Sequence, residues 1–347
     1  MSKIKHILVF RLSAMGDVAM TVPVLRAFVS QYPEVKITVV SRPFFKPLFD
    51  GIPNLNFFAI DLKERHKGFL GLIRLYKDLK KLNIDAFADL HNVLRSKIVR
   101  SLFSLGGKKT AFVNKGRAEK KALTRAENKI FRPVTSMFDR HKKVFQELGF
   151  SIDLEHPVFP PKANLTSEIL EITGEKNKTW IGIAPFAQYQ SKVYPQDLMQ
   201  EVIDEVSENP SYKIFLFGGG TKEIETLNHL ATGKKNVITI AGKLKFEEEL
   251  KLISNLDLML SMDSGNSHIA AMLGLKVITL WGATHPYTGF LSFNQTMDTA
   301  LVSDREKYPL LPTSVYGNKK VEGYEDAMRS IPVEKVIAAI QSQLASS

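Results

Sequence analysis

The 347-residue chain has no cysteine, which excludes disulfides, thiolate metal sites and cysteine nucleophiles and fits a reducing compartment. It also lacks any apolar run near the roughly 18 residues needed to span a bilayer. The amino-terminal run Ile7 to Phe10 stops at Arg11, too short for the core of a secretory signal. A cytoplasmic protein is therefore expected, and the sequons at Asn164, Asn177 and Asn294 read as chance matches. There is no D-x-D pair suited to a divalent cation and no G-x-G-x-x-G after a strand. Asp139 and the Asp89-Leu90-His91 run make no metal constellation, so neither a metal nor another cofactor is expected. Internal repeats and low-complexity tracts are missing as well.

Acidic residues are scarce in one place. The whole chain has 47 Lys/Arg against 36 Asp/Glu, a net charge of +11. Between His91 and Phe145 there are 15 Lys/Arg and only 3 acids (Glu119, Glu127, Asp139), a local net of +12, so the remainder is near neutral. Such a window attracts polyanions: nucleic acid, anionic lipid head groups or phosphorylated glycans. It lacks the regular aromatic interleaving of a single-stranded nucleic-acid binder. A solvated basic face is the alternative.

A chain of this length exceeds one comfortable core, and two domains are expected. Apolar strands alternate with amphipathic helices twice. In the first half the strands fall at 6–10, 36–40, 57–60, 86–90 and 110–112. In the second they fall at 180–184, 213–217, 237–239, 256–260 and 277–280. Near-continuous apolar strands with regular crossovers imply parallel sheets covered on both faces. The reading is α/β, with two Rossmann-like domains at 1–160 and 161–330. A carboxyl-terminal helix at 331–347 is expected to pack back toward the first domain.

The segment 256–282, LDLMLSMDSGNSHIAAMLGLKVITLWG, is a strand, a polar turn, a helix and a second strand. The turn Asp263-Ser264-Gly265-Asn266-Ser267-His268 aims backbone N–H groups and the positive end of a helix dipole above the strand tips. Gly265 lets that backbone approach a ligand closely, while Asp263 and His268 add an acceptor for hydroxyls and a donor for anionic oxygens. This is a phosphate- or nucleotide-binding corner, or else a helix capped by Asp263 or Ser264. Near the amino terminus, Arg11-Leu12-Ser13-Ala14-Met15-Gly16-Asp17 joins the first strand to a helix. Asp17 is either that helix's N-cap or a general base within reach of a substrate hydroxyl. Arg11 and Ser13 are candidates for an anion beside it.

ILVFRLSAMGDVAMTVPVLRAF resembles the amino terminus of the heptosyltransferases, glycosyltransferase family 9. The resemblance continues in order through Lys192 in QSKVYP, Gly218-Gly219-Gly220 with Glu223 and Glu225, Ala241-Gly242, the DSGNSH turn and RSIPVEKVIAAI, nearly the whole length. It implies a GT-B fold, two Rossmann-like domains facing across a cleft, and inverting, metal-independent sugar transfer. The implied donor is ADP-L-glycero-β-D-manno-heptose, and the implied acceptor is the Kdo or heptose of the lipopolysaccharide inner core. The family's catalytic aspartate falls on Asp17, and its nucleotide-side residues on Lys192, Asp263, Ser264, Gly265 and His268. The chain departs from many members at Ala187-Gln188-Tyr189-Gln190 and Tyr194, where they carry Ser/Thr and Trp, and in the cysteine-free segment 307–325.

The chemistry then divides between the domains. Asp17 would take the acceptor proton; Lys192, the N–H groups of residues 264–267 and His268 would offset charge on the leaving diphosphate. Glu223 is placed on the ribose hydroxyls or, alternatively, caps the next helix. Arg11, Ser13, His91, Arg95, Arg117 and Lys120 are candidates for the acceptor side, His91 alternatively being a surface or capping histidine. The expected partners are a nucleotide sugar, an anionic glycolipid and, peripherally, the cytoplasmic leaflet of the inner membrane, with no nucleic acid and a monomeric chain. Two other readings stand beside this one: a GT-B sugar-nucleotide epimerase or phosphorylase, and a non-catalytic polyanion binder.

Overall fold

The computed structural model describes residues 4–345 and divides them into two compact units. The first comprises residues up to Lys115 together with Met137–Pro160; the second comprises Gly116–Ser136 and residues from Pro161 onward.

In the first unit five strands, β1 His6–Phe10, β2 Lys36–Ser41, β3 Leu55–Ala59, β4 Ala86–Asp89 and β5 Lys109–Phe112, form one parallel sheet in the order β3-β2-β1-β4-β5. The helices are α1 Met15–Ala19, α2 Val22–Gln31, α3 Gly68–Lys80, α4 Leu94–Leu105 and, after an excursion into the second unit, α6 Met137–Leu148. Every residue of β1 is buried, because both faces of the sheet are covered. Leu8, Phe10 and Phe87 pack with Leu72, Leu75 and Leu79 of α3 and Val99 and Phe103 of α4. Phe28 of α2 meets Phe145 of α6 at 4.9 Å. The single helix expected after the Arg11–Asp17 turn is two, α1 and α2. Pro23 in the first turn of α2 has no N–H for a continuous ladder, and a proline belongs at a helix start.

The excursion carries α5, Arg117–Thr124, into the second unit. Lys129 Nζ donates to the carbonyls of Leu123 and Pro312 at 2.9 and 2.8 Å. The Arg305 guanidinium stacks 3.4 Å from the Phe131 ring centre, and the Val134 N–H donates to Tyr287 O. The basic window is thereby divided. Arg117, Lys120, Lys121, Arg125, Lys129 and Arg132 go with the second unit and the other nine cations with the first, so it is not one continuous face of one domain.

The second unit has six parallel strands, β6 Thr179–Ala184, β7 Tyr212–Leu216, β8 Val237–Thr239, β9 Leu258–Met262, β10 Lys276–Trp281 and β11 Ala300–Val302, ordered β11-β10-β9-β6-β7-β8. Its remaining helices are α7 Ser167–Thr173, α8 Gln196–Ser207, α9 Thr221–Leu230, α10 Phe246–Ser254, α11 Gly265–Met272 and α12 Val333–Ala345. The core joins Ile181, Ile183, Leu258, Leu260, Ile278 and Leu280 to Val202 and Leu227. The carboxyl-terminal helix α12, expected to return toward the first domain, places Val336 and Ile340 in this same core. The last two residues of the expected 331–347 segment lie outside the described residues. In each unit the strand order reverses beside the first strand, between β1 and β4 and between β6 and β9. A doubly wound sheet opens a ligand crevice there, outside the strands' carboxyl ends.

Candidate active site

Arg11 and Asp17 flank the switch point of the first unit. Arg11 is 4% exposed. Its Nη1 donates to Leu90 O at 2.7 Å, and its Nη2 lies 2.5 Å from Asp17 Oδ2. One guanidinium thus ties the ends of β1 and β4 to the first turn of α1. Asp17 is the third residue of α1, with Ala14 as N-cap, and its contact to the Ala14 N–H is long at 3.4 Å. Asp17 is therefore not the N-cap itself; its carboxylate both accepts from the N-cap N–H and pairs with Arg11, the ion pair being the shorter contact. Its side chain keeps 31% exposure, enough to meet a substrate.

Asp89 ends β4 fully buried and shapes the adjoining turn. Its Oδ1 accepts the N–H groups of His91 and Asn92 at 3.0 and 2.7 Å, and its Oδ2 pairs with Arg100 at 3.0 Å. That turn places His91, 8% exposed, with its Nδ1 lacking a hydrogen-bond partner. Burial, with the positive charges of Arg11, Lys115 and Arg95, pushes the His91 imidazole down to about 3 against the opposing pull of Asp17. The ring is neutral at physiological pH. The folded chain takes up this proton only near pH 3 and the unfolded one near 6.5. Between those values the unfolded state binds more protons, and stability falls on acidification. His91→Gln is expected to flatten the fall in urea midpoint between pH 6.5 and 4. An unchanged slope would mean that the imidazole titrates in the native state.

At the second switch point, Lys192 follows β6 and Asp263 follows β9. Lys192 Nζ lies 3.0 Å from Asp263 Oδ2, which also accepts Thr284 Oγ1 at 2.8 Å. The two charged side chains are 12% and 9% exposed. Ser191 Oγ donates to Gly317 O at 2.7 Å and Ala283 N–H donates to Ser191 O at 3.0 Å, clamping the turn that carries Lys192. Gly317, at φ +85°, lies so close that a Cβ there would come 2.6 Å from Lys192 Cδ.

Ser264 is the N-cap of α11, yet its side chain does not cap the helix; Ser264 Oγ meets Ser261 Oγ at 3.1 Å. Asp263 is turned to Lys192 and Thr284. Neither residue proposed as a cap acts as one, and the first N–H groups of α11, beginning at Gly265, have no side-chain cap. A helix start of this kind presents donors and positive potential to an anion. His268 lies in the first turn of the same helix and is buried.

Other expected residues divide differently. Glu223 Oε2 accepts the Gly219 N–H at 2.8 Å, so one carboxylate oxygen holds the triple-glycine turn from the first turn of α9. Ser13 is half-buried in the Arg11–Asp17 loop, and Arg95 is exposed on the first turn of α4. Arg117 and Lys120 belong with the second unit. Arg117 is exposed, but Lys120 is 3% exposed with its ammonium 4.0 Å over the Phe290 ring, which removes it from any open acceptor surface. Tyr194 is a core residue whose hydroxyl donates to Ile331 O at 2.7 Å, and burial pushes that hydroxyl up to about 12. The departure from the family at this position therefore lies in the packing beneath the loop. Asp89, set outside any metal constellation in the sequence, proves to be the buried anchor of its turn, while Thr284 and Arg100 were given no site role because nothing local marks their partners.

Two doubly wound parallel α/β units, each gathering polar and charged groups at its switch point, have the architecture of the GT-B class. The chain matches the family model of glycosyltransferase family 9 (heptosyltransferase) over residues 72–311, and it belongs to that family. The matched span includes His91, Lys192, Asp263 and His268, while Asp17 precedes it. A lipopolysaccharide heptosyltransferase 1 from Campylobacter coli is 28% identical over 316 residues, covering 84% of this chain and 89% of that protein. Among solved structures, a glycosyltransferase family 9 protein from Veillonella parvula superposes with a TM-score of 0.74 at 19% identity, covering 99% of this chain and 98% of the other. E. coli ADP-heptose LPS heptosyltransferase II does so with a TM-score of 0.68 at 20% identity, covering 98% and 99%. Among the described residues no helix is long and apolar enough to cross a membrane.

Proposed function

We propose that the enzyme transfers a heptose from ADP-heptose to a sugar of the lipopolysaccharide inner core, with inversion at the anomeric carbon. Asp17 takes the proton of the acceptor hydroxyl as its oxygen bonds to the anomeric carbon. The bond from that carbon to the diphosphate oxygen breaks, and ADP leaves with the electron pair. Arg11 orients Asp17 by occupying its Oδ2, and neutral His91 contributes hydrogen bonding without repelling the cationic groups beside it. Lys192 and the N–H groups that open α11 receive the charge building on the diphosphate, with His268 as a further donor. These groups take the place of a divalent cation. Asp263 and Thr284 aim Lys192, and Glu223, fixed on the Gly219 N–H, stands at the ribose side.

The observation that carries this reading is the buried Lys192–Asp263 pair beside a helix start left without a side-chain cap. The donor and acceptor follow the named activities of the relatives. A nucleotide panel tests the donor. A ligand present at a hundredfold excess over its Kd stabilises the native state by about 2.7 kcal/mol. ADP is expected to raise the melting temperature well above UDP, GDP or CMP at equal concentration. An equal rise with UDP would overturn the adenine assignment, and no rise with any of them would overturn the diphosphate site.

A further inference from the structure

In a parallel sheet every strand's carboxyl end lies on one edge, so the first turns that follow β2, β3 and β4 share the edge that holds Asp17 and His91. Three of those turns present large apolar side chains to solvent. Phe44 follows β2 at 58% exposure, Phe69 and Leu70 open α3 at 65% and 69%, and Leu94 opens α4 at 76%. Phe69 and Leu70 stand outside the core, which α3 reaches through Leu72, Leu75 and Leu79, while Phe44 packs edge-on against the buried Phe45 at 5.4 Å.

Each apolar tip has an exposed cation beside it in sequence: Arg42 before Pro43-Phe44, Lys67 before Gly68-Phe69, and Arg95 after Leu94. The acids nearby oppose this weakly. Asp61 is turned onto the N–H groups of Lys63, Glu64 and Arg65, leaving Glu64 as the exposed carboxylate of that turn. Protein–protein interface cores are depleted in lysine, whereas bulky apolar groups interleaved with Lys and Arg suit the boundary between lipid head groups and acyl chains.

We propose that this edge of the first unit docks on an anionic bilayer, with Phe69, Leu70 and Leu94 entering the interface and the flanking cations meeting lipid phosphates. The proposal rests on the glycolipid acceptor of the preceding reading for its purpose, since docking here would bring Asp17 to an acceptor held in a membrane. The basic window, divided between the units, is not required for it.

Sedimentation with phosphatidylglycerol-containing vesicles, and with phosphatidylcholine vesicles for comparison, tests the proposal. The wild-type chain is expected to bind the anionic vesicles. The double variant F69S/L70S is expected to bind them about tenfold more weakly and to melt at the wild-type temperature. Leu105→Ser, at an 86% exposed site on the far end of α4, is expected to change nothing. Equal binding by wild type and F69S/L70S would overturn the proposal, as would an equal loss in Leu105→Ser. A molecular mass that doubles with protein concentration, and ceases to in F69S/L70S without altered vesicle binding, would assign the patch to a second copy instead. Transfer to a water-soluble, delipidated acceptor is expected to be unchanged in F69S/L70S; its loss would place these residues in the active site and overturn docking. Vesicle binding by a wild-type chain that fails to use any heptose acceptor would sink the functional reading and leave the docking surface standing.

Discussion

Asp17→Asn is expected to lower kcat for heptose transfer by about 10²- to 10⁴-fold, the range for loss of a positioned general base, while ADP affinity stays near wild type. The amide keeps the shape and one acceptor oxygen but cannot take the acceptor proton. The split between rate and nucleotide binding follows from the position of Asp17 in the first unit, whereas Lys192, Asp263 and α11, the groups proposed for the diphosphate, belong to the second. The substitution also strips the buried Arg11 guanidinium of its anion, so a thermal melt must accompany the kinetics. A large drop in kcat with an unchanged melt supports the base assignment. Activity within a few-fold of wild type would remove Asp17 from the chemistry and leave it as the anchor of Arg11.

Lys192→Met should cost about 10²- to 10³-fold in kcat, the loss expected when one donor to developing charge is removed, and should weaken ADP binding as well. It has a second consequence that separates catalytic from structural roles. Lys192 and Asp263 are both buried, and deleting one partner of a buried pair costs about 3–5 kcal/mol because it strands the other charge. The double variant Lys192→Met/Asp263→Asn is therefore expected to recover much of the lost stability and none of the lost activity. Recovery of both would reduce Lys192 to a structural partner of Asp263.

The strands were legible in the sequence because doubly covered parallel strands are apolar throughout. β1 and β8 match their expected ranges, and β9 is shifted by two residues, since Asp257 before it serves Lys176 and the Trp180 N–H. The edge strand β11, Ala300–Val302, was not read in the sequence, although β8, of the same length, was. In the candidate site, residue types at turns were readable: Asp17, Lys192, Asp263 and His268 follow strand ends. Their partners were not, because the bonds from Arg11 to Leu90 O and from Thr284 to Asp263 span 79 and 21 residues with no local pattern. The choice between cap and ligand group at Ser264 likewise depends on Ser261, three residues back on the preceding strand, which the turn motif does not contain. Lys120 shows the converse. Composition counts every lysine as a surface charge, and only the position of Phe290 reveals one committed to packing.

The excursion of residues 116–136 bears on how this enzyme could be recombined. The chain crosses between its units at 115/116, at 136/137 and at 160/161, so the gene has no single codon at which one unit ends and the other begins. A chimera spliced at 160 to exchange nucleotide specificity would fit the incoming half with a foreign ribbon in place of its own. The partners of Arg305, Tyr287 and Pro312 would then come from the other parent. Modular exchange in this chain requires all three junctions, so that the ribbon is transplanted along with the unit it belongs to.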